Sequence, residues 1–248
     1  MYILAIETTG AFASVALMKD DKIIGQLHGN DRFSHLQNLM PQVEEVIKES
    51  KLSLGDIAAI AVSCGPGSFT GIRIGVSSAR ALSQALNIPC AEVPTLEALA
   101  MNTGVLQSGI NVSSGQEDNA EALICPILDA RRSQIYGGGY FLRDGFPVEM
   151  VKAAPYTIKE FLSAVSGYNQ ILLLGDGMDA YKEKIQNLRP NGTMTAPENI
   201  RYQDAVSVAR LGKKIFAETG GSMYQNIKPN YMRLAEAERK LKEKQGSN

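Results

Sequence analysis

The stretch that most limits the fold runs from Ile57 to Leu86, IAAIAVSCGPGSFTGIRIGVSSARALSQAL. Ile57, Ile60 and Val62 lie in a short apolar run, which suits a strand covered on both faces. The turn Gly65-Pro66-Gly67-Ser68-Phe69-Thr70-Gly71 follows, and then a helical pattern to Leu86. Ser68 or Thr70 can cap that helix, because a hydroxyl accepts from the free amides of its first turn. Gly71, Gly75, Ser77, Ser78 and Ala79 leave the helix little bulk, so another backbone can approach it closely. The glycines resemble a dinucleotide fingerprint, with Glu92 where a ribose-binding acid belongs. Their spacing, G-x-G-x-x-x-G, is one residue too long. No Gly-Lys-Ser/Thr is present, so this is not a P-loop. A tight strand-to-helix turn is the better reading.

Around this stretch the order of elements repeats. Tyr2–Glu7, Ala13–Met18 and Lys22–His28 read as an antiparallel meander. Leu36, Leu39, Met40, Val43, Val46 and Ile47 recur at helical spacing and predict a helix over 34–49, kinked or opened by Pro41. After the opening strand and helix come a strand over 88–93 and a helix from Thr95, read as its cap, to Asn102. Residues 107–121 are polar and read as a linker or loop. Strands over 123–128, 133–142 and 146–152 follow, then a helix over 156–165, a buried strand over 171–174 and a helix over 178–188. A weak strand near Thr193 and a helix over 204–218 close the pattern. Each half reads strand-strand-strand-helix-strand-helix-strand-helix, an α/β duplication with the layout of the actin, hexokinase and heat-shock chaperone superfamily (the ASKHA, ribonuclease H-like fold). The expected division is 1–106, a linker at 107–121, 122–220 and a C-terminal extension over 221–248, read as an extended piece and a charged helix.

Composition narrows the chemistry. The net charge of −1 supplies no bulk field for nucleic acid, so any RNA contact needs a local patch or a partner. Cys64, Cys90 and Cys125 are odd in number, far apart and without C-x-x-C, which points to a reducing cytoplasmic setting. The first residues lack the basic start of a signal peptide, and no apolar run approaches the ~18 residues of a membrane span. His28 and His35 form no H-x-x-x-H. In a fold of this layout nucleotide phosphates sit between hairpin turns of the two halves. Glu7, Thr8 and Thr9, with Gly175, Asp176 and Gly177, are the candidate nucleotide residues, and they motivate a small-molecule kinase or ATPase as the alternative function. Asp129-Ala130-Arg131-Arg132, at the matching turn, lacks the glycines that let a phosphate approach backbone.

Ile3-Leu-Ala-Ile-Glu-Thr-Thr9, Ser34-His35, the Gly65–Gly75 stretch GPGSFTGIRIG and Pro94-Thr-Leu-Glu-Ala98 together resemble the TsaB (YeaZ) family. Asp129-Ala-Arg131, Gln134-Ile-Tyr136, Gly175-Asp-Gly177 and Pro229-Asn-Tyr-Met-Arg233 extend the likeness nearly end to end. The GPGSFTGIRIG piece is the specific one.

The resemblance implies a role in making threonylcarbamoyl-adenosine at position 37 of tRNAs that read codons beginning with A. It implies a non-catalytic subunit that pairs with a metal-bearing paralogue, TsaD, together with an ATPase, TsaE, and that meets tRNA through that complex. The paralogue's H-x-x-x-H metal motif falls here on Thr95 and Leu99, which cannot replace it. No cofactor is firmly implied; ATP or ADP held at the partner joint is the open possibility. Family members pair through their two N-terminal helices. His35, Leu39, Val43, Ile72, Gly75, Ala79 and Leu82 are the expected interface, with a homodimer when the partner is missing.

Overall fold

The structure, a computed structural model, describes residues 1–29, 35–105 and 121–233. The first part contains β1 (Tyr2–Glu7), β2 (Ser14–Lys19), β3 (Lys22–His28), α1 (His35–Glu49), β4 (Ala59–Gly65), α2 (Phe69–Leu86), β5 (Cys90–Pro94) and α3 (Thr95–Met101). The second contains β6 (Leu123–Asp129), β7 (Gln134–Arg143), β8 (Phe146–Thr157), α4 (Ile158–Val165), β9 (Ile171–Leu174), α5 (Gly177–Ala180), α6 (Lys182–Leu188), β10 (Thr193–Thr195), α7 (Glu198–Arg201) and α8 (Ala205–Thr219). The two sheets run β3-β2-β1-β4-β5 and β10-β9-β6-β7-β8, the same order read from opposite ends. In each, the meander is antiparallel and the two βα strands add in parallel beside its first strand. The duplication read in the sequence is therefore present in the sheets.

Alternation along the strands decides what each face meets. In the first sheet Leu4, Ile6, Val15, Leu17, Ile60 and Val62 face α1 and α2. On the other face, Ile3, Ala5, Ala16, Ala59 and Ala61 join a core shared with the second sheet's Ile124, Leu128, Leu172 and Leu174. Two helices fill this shared core and cross over between the halves. The last helix, α8, lies on β1, β2, β4 and β5, while α3 packs on β6, β7 and β8, and the two helices touch. The sequence division assigned α8 to the second half; it covers the first sheet. The alanines are the reason it fits: a Cβ on Gly212 would overlap the Cβ of Ala61.

Several local expectations are corrected. Pro41 lies inside α1, on its exposed face, so its missing amide costs a helix bond on the solvent side. Thr95 does not cap α3: Pro94 is the N-cap, and the Thr95 hydroxyl is buried without a hydrogen-bond partner. The expected helix over 178–188 breaks at Tyr181, whose hydroxyl is held by Asp129 Oδ1 at 3.0 Å and the Gln134 carbonyl at 3.2 Å. β8 runs on to Thr157, which then caps α4 in a reciprocal box with Glu160. The linker residues 107–120, Ser34 and the charged run from Leu234 onward lie outside the described residues.

Gly212→Ala tests the helix-to-sheet contact. Alanine gains about 1 kcal/mol in helix propensity, but the overlap with Ala61 costs about 1–3 kcal/mol. We expect a net loss of stability in urea unfolding; a stabilised variant would contradict the packing.

Candidate functional site

The site begins where β1 ends. Glu7, Thr8 and Thr9 leave the first strand and run against the turn that opens α2. Thr8 is fully buried, and its hydroxyl donates to the Gly71 carbonyl at 2.7 Å. The Ser68 amide donates to the Thr9 carbonyl at 2.8 Å. A Cβ at Gly71 would overlap the Thr8 carbonyl oxygen, one at Gly75 the Thr8 hydroxyl, and one at Gly67 would sit 2.6 Å from the Thr9 carbonyl oxygen. The glycines and the G-x-x-x-G of the helix thus form a notch for the chain's own first turn. Ser68 caps the helix, its hydroxyl accepting from the Gly71 amide at 3.2 Å.

Glu7 is buried at 1% exposure. Its Oε1 accepts from the Thr9 amide at 2.5 Å and the Thr9 hydroxyl at 2.6 Å, while Oε2 has no hydrogen-bond partner. Burial pushes the carboxyl above the usual 4.5; Ser63 and Thr9 beside it pull the other way, and Asp204 adds a further push upward. Glu7 works as a brace for the hairpin turn.

In the second half, Gly175 has φ +100, and a Cβ there would overlap the Ile127 carbonyl oxygen. Gly177 meets the same oxygen at 2.9 Å. Asp176 accepts from the Asp129 amide at 3.0 Å, and burial raises its carboxyl above its ordinary range, opposed by that hydrogen bond. Asp129 in turn accepts from the Arg131 amide at 2.8 Å and pairs with the Arg131 guanidinium at 3.2 Å.

Between the two turns lies a cleft of about 320 Å³, lined by Thr9, Gly67–Thr70, Asp129–Arg131, Tyr136, Asp176 and Gln203 among others. Of the six candidate nucleotide residues, Thr9 and Asp176 line it. Glu7 and Thr8 are buried beneath it, and Gly175 and Gly177 are used in packing on Ile127. Among the described residues, no group of three His, Cys, Asp or Glu side chains could hold a metal ion. Thr95 is fully buried and Leu99 is 1% exposed, both within the core. No helix among the described residues is long and apolar enough to cross a membrane.

The expected interface needs correction. Leu39, Val43, Ile72, Ala79 and Leu82 belong to the core between the first sheet and its helices, and Gly75 is buried against Thr8. The side chain of His35 lies outside the described residues. The solvent face of α1 carries Met40, Pro41, Glu44 and Lys48; that of α2 carries Arg73, Ser77, Arg80 and Gln84. Helical periodicity marks an apolar stripe on α1, of which Leu39, Val43, Val46 and Ile47 face inward and Met40 outward.

Over residues 227–233 the C-terminal extension, expected as an extended piece, is bound to the body of the protein. It is a strap. Ile227 is fully buried, the Lys228 amide donates to Glu92 Oε1 at 2.6 Å, and the Asn230 amide donates to the Cys64 carbonyl at 2.7 Å. Arg233 then crosses to the second half and donates to the Ala130 carbonyl at 2.8 Å. The alternation of apolar and hydrogen-bonding residues in Ile227–Arg233 was the available signal.

The paired sheets, the cleft between their first hairpins and the helices on the outer faces define a duplicated α/β protein of two five-stranded mixed sheets. The family model described as TsaD, tRNA N6-adenosine threonylcarbamoyltransferase, matches residues 32–240. The tRNA threonylcarbamoyladenosine biosynthesis protein TsaB of Bacillus subtilis is 32% identical, over 99% of this chain and 100% of that protein. TsaB of Escherichia coli is 28% identical, over 97% and 98%. The solved structure of YeaZ from Pseudomonas aeruginosa superposes with a TM-score of 0.76 at 23% identity, over 93% of this chain and 99% of that one. The chain belongs to the TsaB (YeaZ) family.

Two variants test the site. A methyl at Gly75 displaces the Thr8 hydroxyl from Gly71, so Gly75→Ala should destabilise the chain by about 1–3 kcal/mol despite its better helix propensity. Glu7, with its folded pKa raised, favours folding only while it is protonated. Its contribution is whole below 4.5 and is lost as pH rises through the folded value. Glu7→Gln keeps the acceptor for Thr9 and removes the titration. Urea unfolding from about pH 5 to about pH 8 should show a flatter profile for the variant than for the parent. Parallel profiles would show that Glu7 does not titrate in this way.

Proposed function

We propose that this chain is a non-catalytic partner subunit in the formation of threonylcarbamoyl-adenosine at position 37 of tRNA. It pairs with the metal-bearing paralogue TsaD and supports that protein's activity, with the ATPase TsaE joining the assembly. The observation that carries the reading is the fate of the paralogue's metal-motif positions. Thr95 and Leu99 are core residues under α8 and the second sheet. Leucine offers no donor atom, and neither side chain reaches the cleft. What the chain keeps is a fold with an outward surface. That surface favours docking beside α1, where Met40, Pro41, Glu44, Lys48, Leu52 and Leu54 border a shallow groove of about 670 Å³. Met40 is 44% exposed and Leu54 41%. Apolar side chains left in water beside a charged rim suit the centre of a protein interface. The same surface serves a two-fold self-pairing when the partner is absent. A nucleotide, if one takes part, sits at the joint with the partner. The kinase reading loses Glu7 as an organiser of magnesium, because that carboxylate is enclosed and bound to Thr9.

Depletion of the protein, followed by mass spectrometry of tRNA nucleosides, should show loss of threonylcarbamoyl-adenosine; an unchanged level would overturn the reading. For the surface, Met40→Glu with Leu54→Glu should weaken co-purification with the paralogue on the order of tenfold or more. The melting temperature should stay near the parent's, because both side chains are already exposed. Ala79→Arg, by contrast, should unfold the chain. An intact complex with the double variant would remove this face from the interface.

A further inference from the structure

The mouth of the cleft carries a second arrangement that the partner role does not use. Phe69, at the start of α2, is 38% exposed. The Arg73 guanidinium lies 3.9 Å from its ring centroid, and Arg73 Nε donates to the Tyr231 hydroxyl at 2.9 Å. The Tyr231 ring stands 4.8 Å from Phe69, tilted by 33°. Arg233 is fixed two residues further on, at the Ala130 carbonyl. Arg131 borders the same cleft from the second half, with 78% of its side chain exposed. It stands on a costly turn: Arg131, Arg132 and Ser133 have φ of 60, 55 and 60°, three successive left-handed residues, none of them glycine. Such strain persists where the surroundings hold it, and it gathers at functional sites. Here it holds Arg131 at the cleft with its side chain largely exposed. The negative charges nearby are already engaged: Asp129 by Arg131 and the Tyr181 hydroxyl, and Asp176 by the Asp129 amide. The contacts described use one N–H group of the Arg73 guanidinium and one of Arg131, and each guanidinium has five.

We propose that this cleft mouth is a docking site for single-stranded RNA, with a base stacked on Phe69 and neighbouring phosphates met by Arg73 and Arg131. The net charge of −1 leaves no diffuse attraction, so a local cluster of this kind is what RNA binding requires. An exposed aromatic ring backed by arginine binds bases that are free to splay. Bases in a duplex are already stacked on each other, which favours a loop over a helix. A cleft of about 320 Å³ admits a single nucleotide unit and no paired stem. The C-terminal strap supplies Tyr231 and Arg233, so the site is complete only when residues 227–233 are folded down. The choice of RNA as occupant rests on the proposed role in tRNA modification; the arginine and aromatic geometry stands without it.

The test is fluorescence anisotropy of a labelled RNA stem–loop with the full purified chain at low salt. Saturable binding that weakens steeply as salt rises is expected. Phe69→Ala should weaken it on the order of tenfold. Arg131→Gln should weaken it and reduce the salt slope by about one. Arg189→Gln, at an exposed arginine beyond α6, should leave it unchanged, with all melting temperatures close to the parent's. No saturable binding overturns the proposal. So does equal affinity in Phe69→Ala and Arg131→Gln, or displacement of the RNA by free AMP at comparable concentration, which would mark a mononucleotide site. A chain that fails to bind RNA while its depletion still removes the tRNA modification would leave the partner role standing and end this inference alone.

Discussion

The contact on which the rest of the structure depends is the seating of the first hairpin turn in the glycine notch of α2. Thr8 and Thr9 lie where side chains on Gly67, Gly71 and Gly75 would stand, and Thr8 closes the contact with a buried hydrogen bond to the Gly71 carbonyl. Backbone can approach backbone this closely only without Cβ atoms. The notch fixes β1 against the helix that follows β4, its parallel neighbour in the sheet. It also brings Thr9 and Gly67–Thr70 together as one wall of the cleft. Glu7 braces the same turn from below, at the cost of burying an acid with one oxygen unpartnered.

From this point the two halves are joined by exchange. α8 covers the first sheet and α3 the second, so neither sheet completes its inner core from its own half. The small inner face of the first sheet, Ala5, Ala16, Ala59 and Ala61, matches Gly212 on α8. The strap adds a third link, running from Glu92 and Cys64 to Ala130.

Much of this was legible in the sequence. The repeated order of strands and helices follows from local periodicity and turn residues, and the sheets reproduce it. The GPGSFTG turn was readable as a strand-to-helix corner because its spacing fails the phosphate-binding patterns. The partner of its glycines was not readable, because Thr8 lies some sixty residues earlier and nothing local couples them. The same limit applies to the side chains expected at the interface. Leu39 and Val43 stand out by helical spacing, Ala79 by its small size and Leu82 through the family's pairing helices, and all four face the core. Met40 sits in the same periodic run and is nonetheless exposed, and Leu54 falls outside it, so periodicity marks neither as surface. Tyr181 broke a predicted helix through a hydroxyl bond to Asp129, another contact between distant residues. The box formed by Thr157 and Glu160 was a local signal that the reading of a helix from Tyr156 passed over.

In the proposed role this chain supports a chemical step that it does not perform. The most direct measurement is transfer from threonylcarbamoyl-adenylate to unmodified tRNA, with the purified paralogue alone, this chain alone and the two together. We expect no transfer by this chain alone and a rate with both proteins well above that of the paralogue alone. Transfer by this chain alone, or a paralogue indifferent to its presence, would contradict that role.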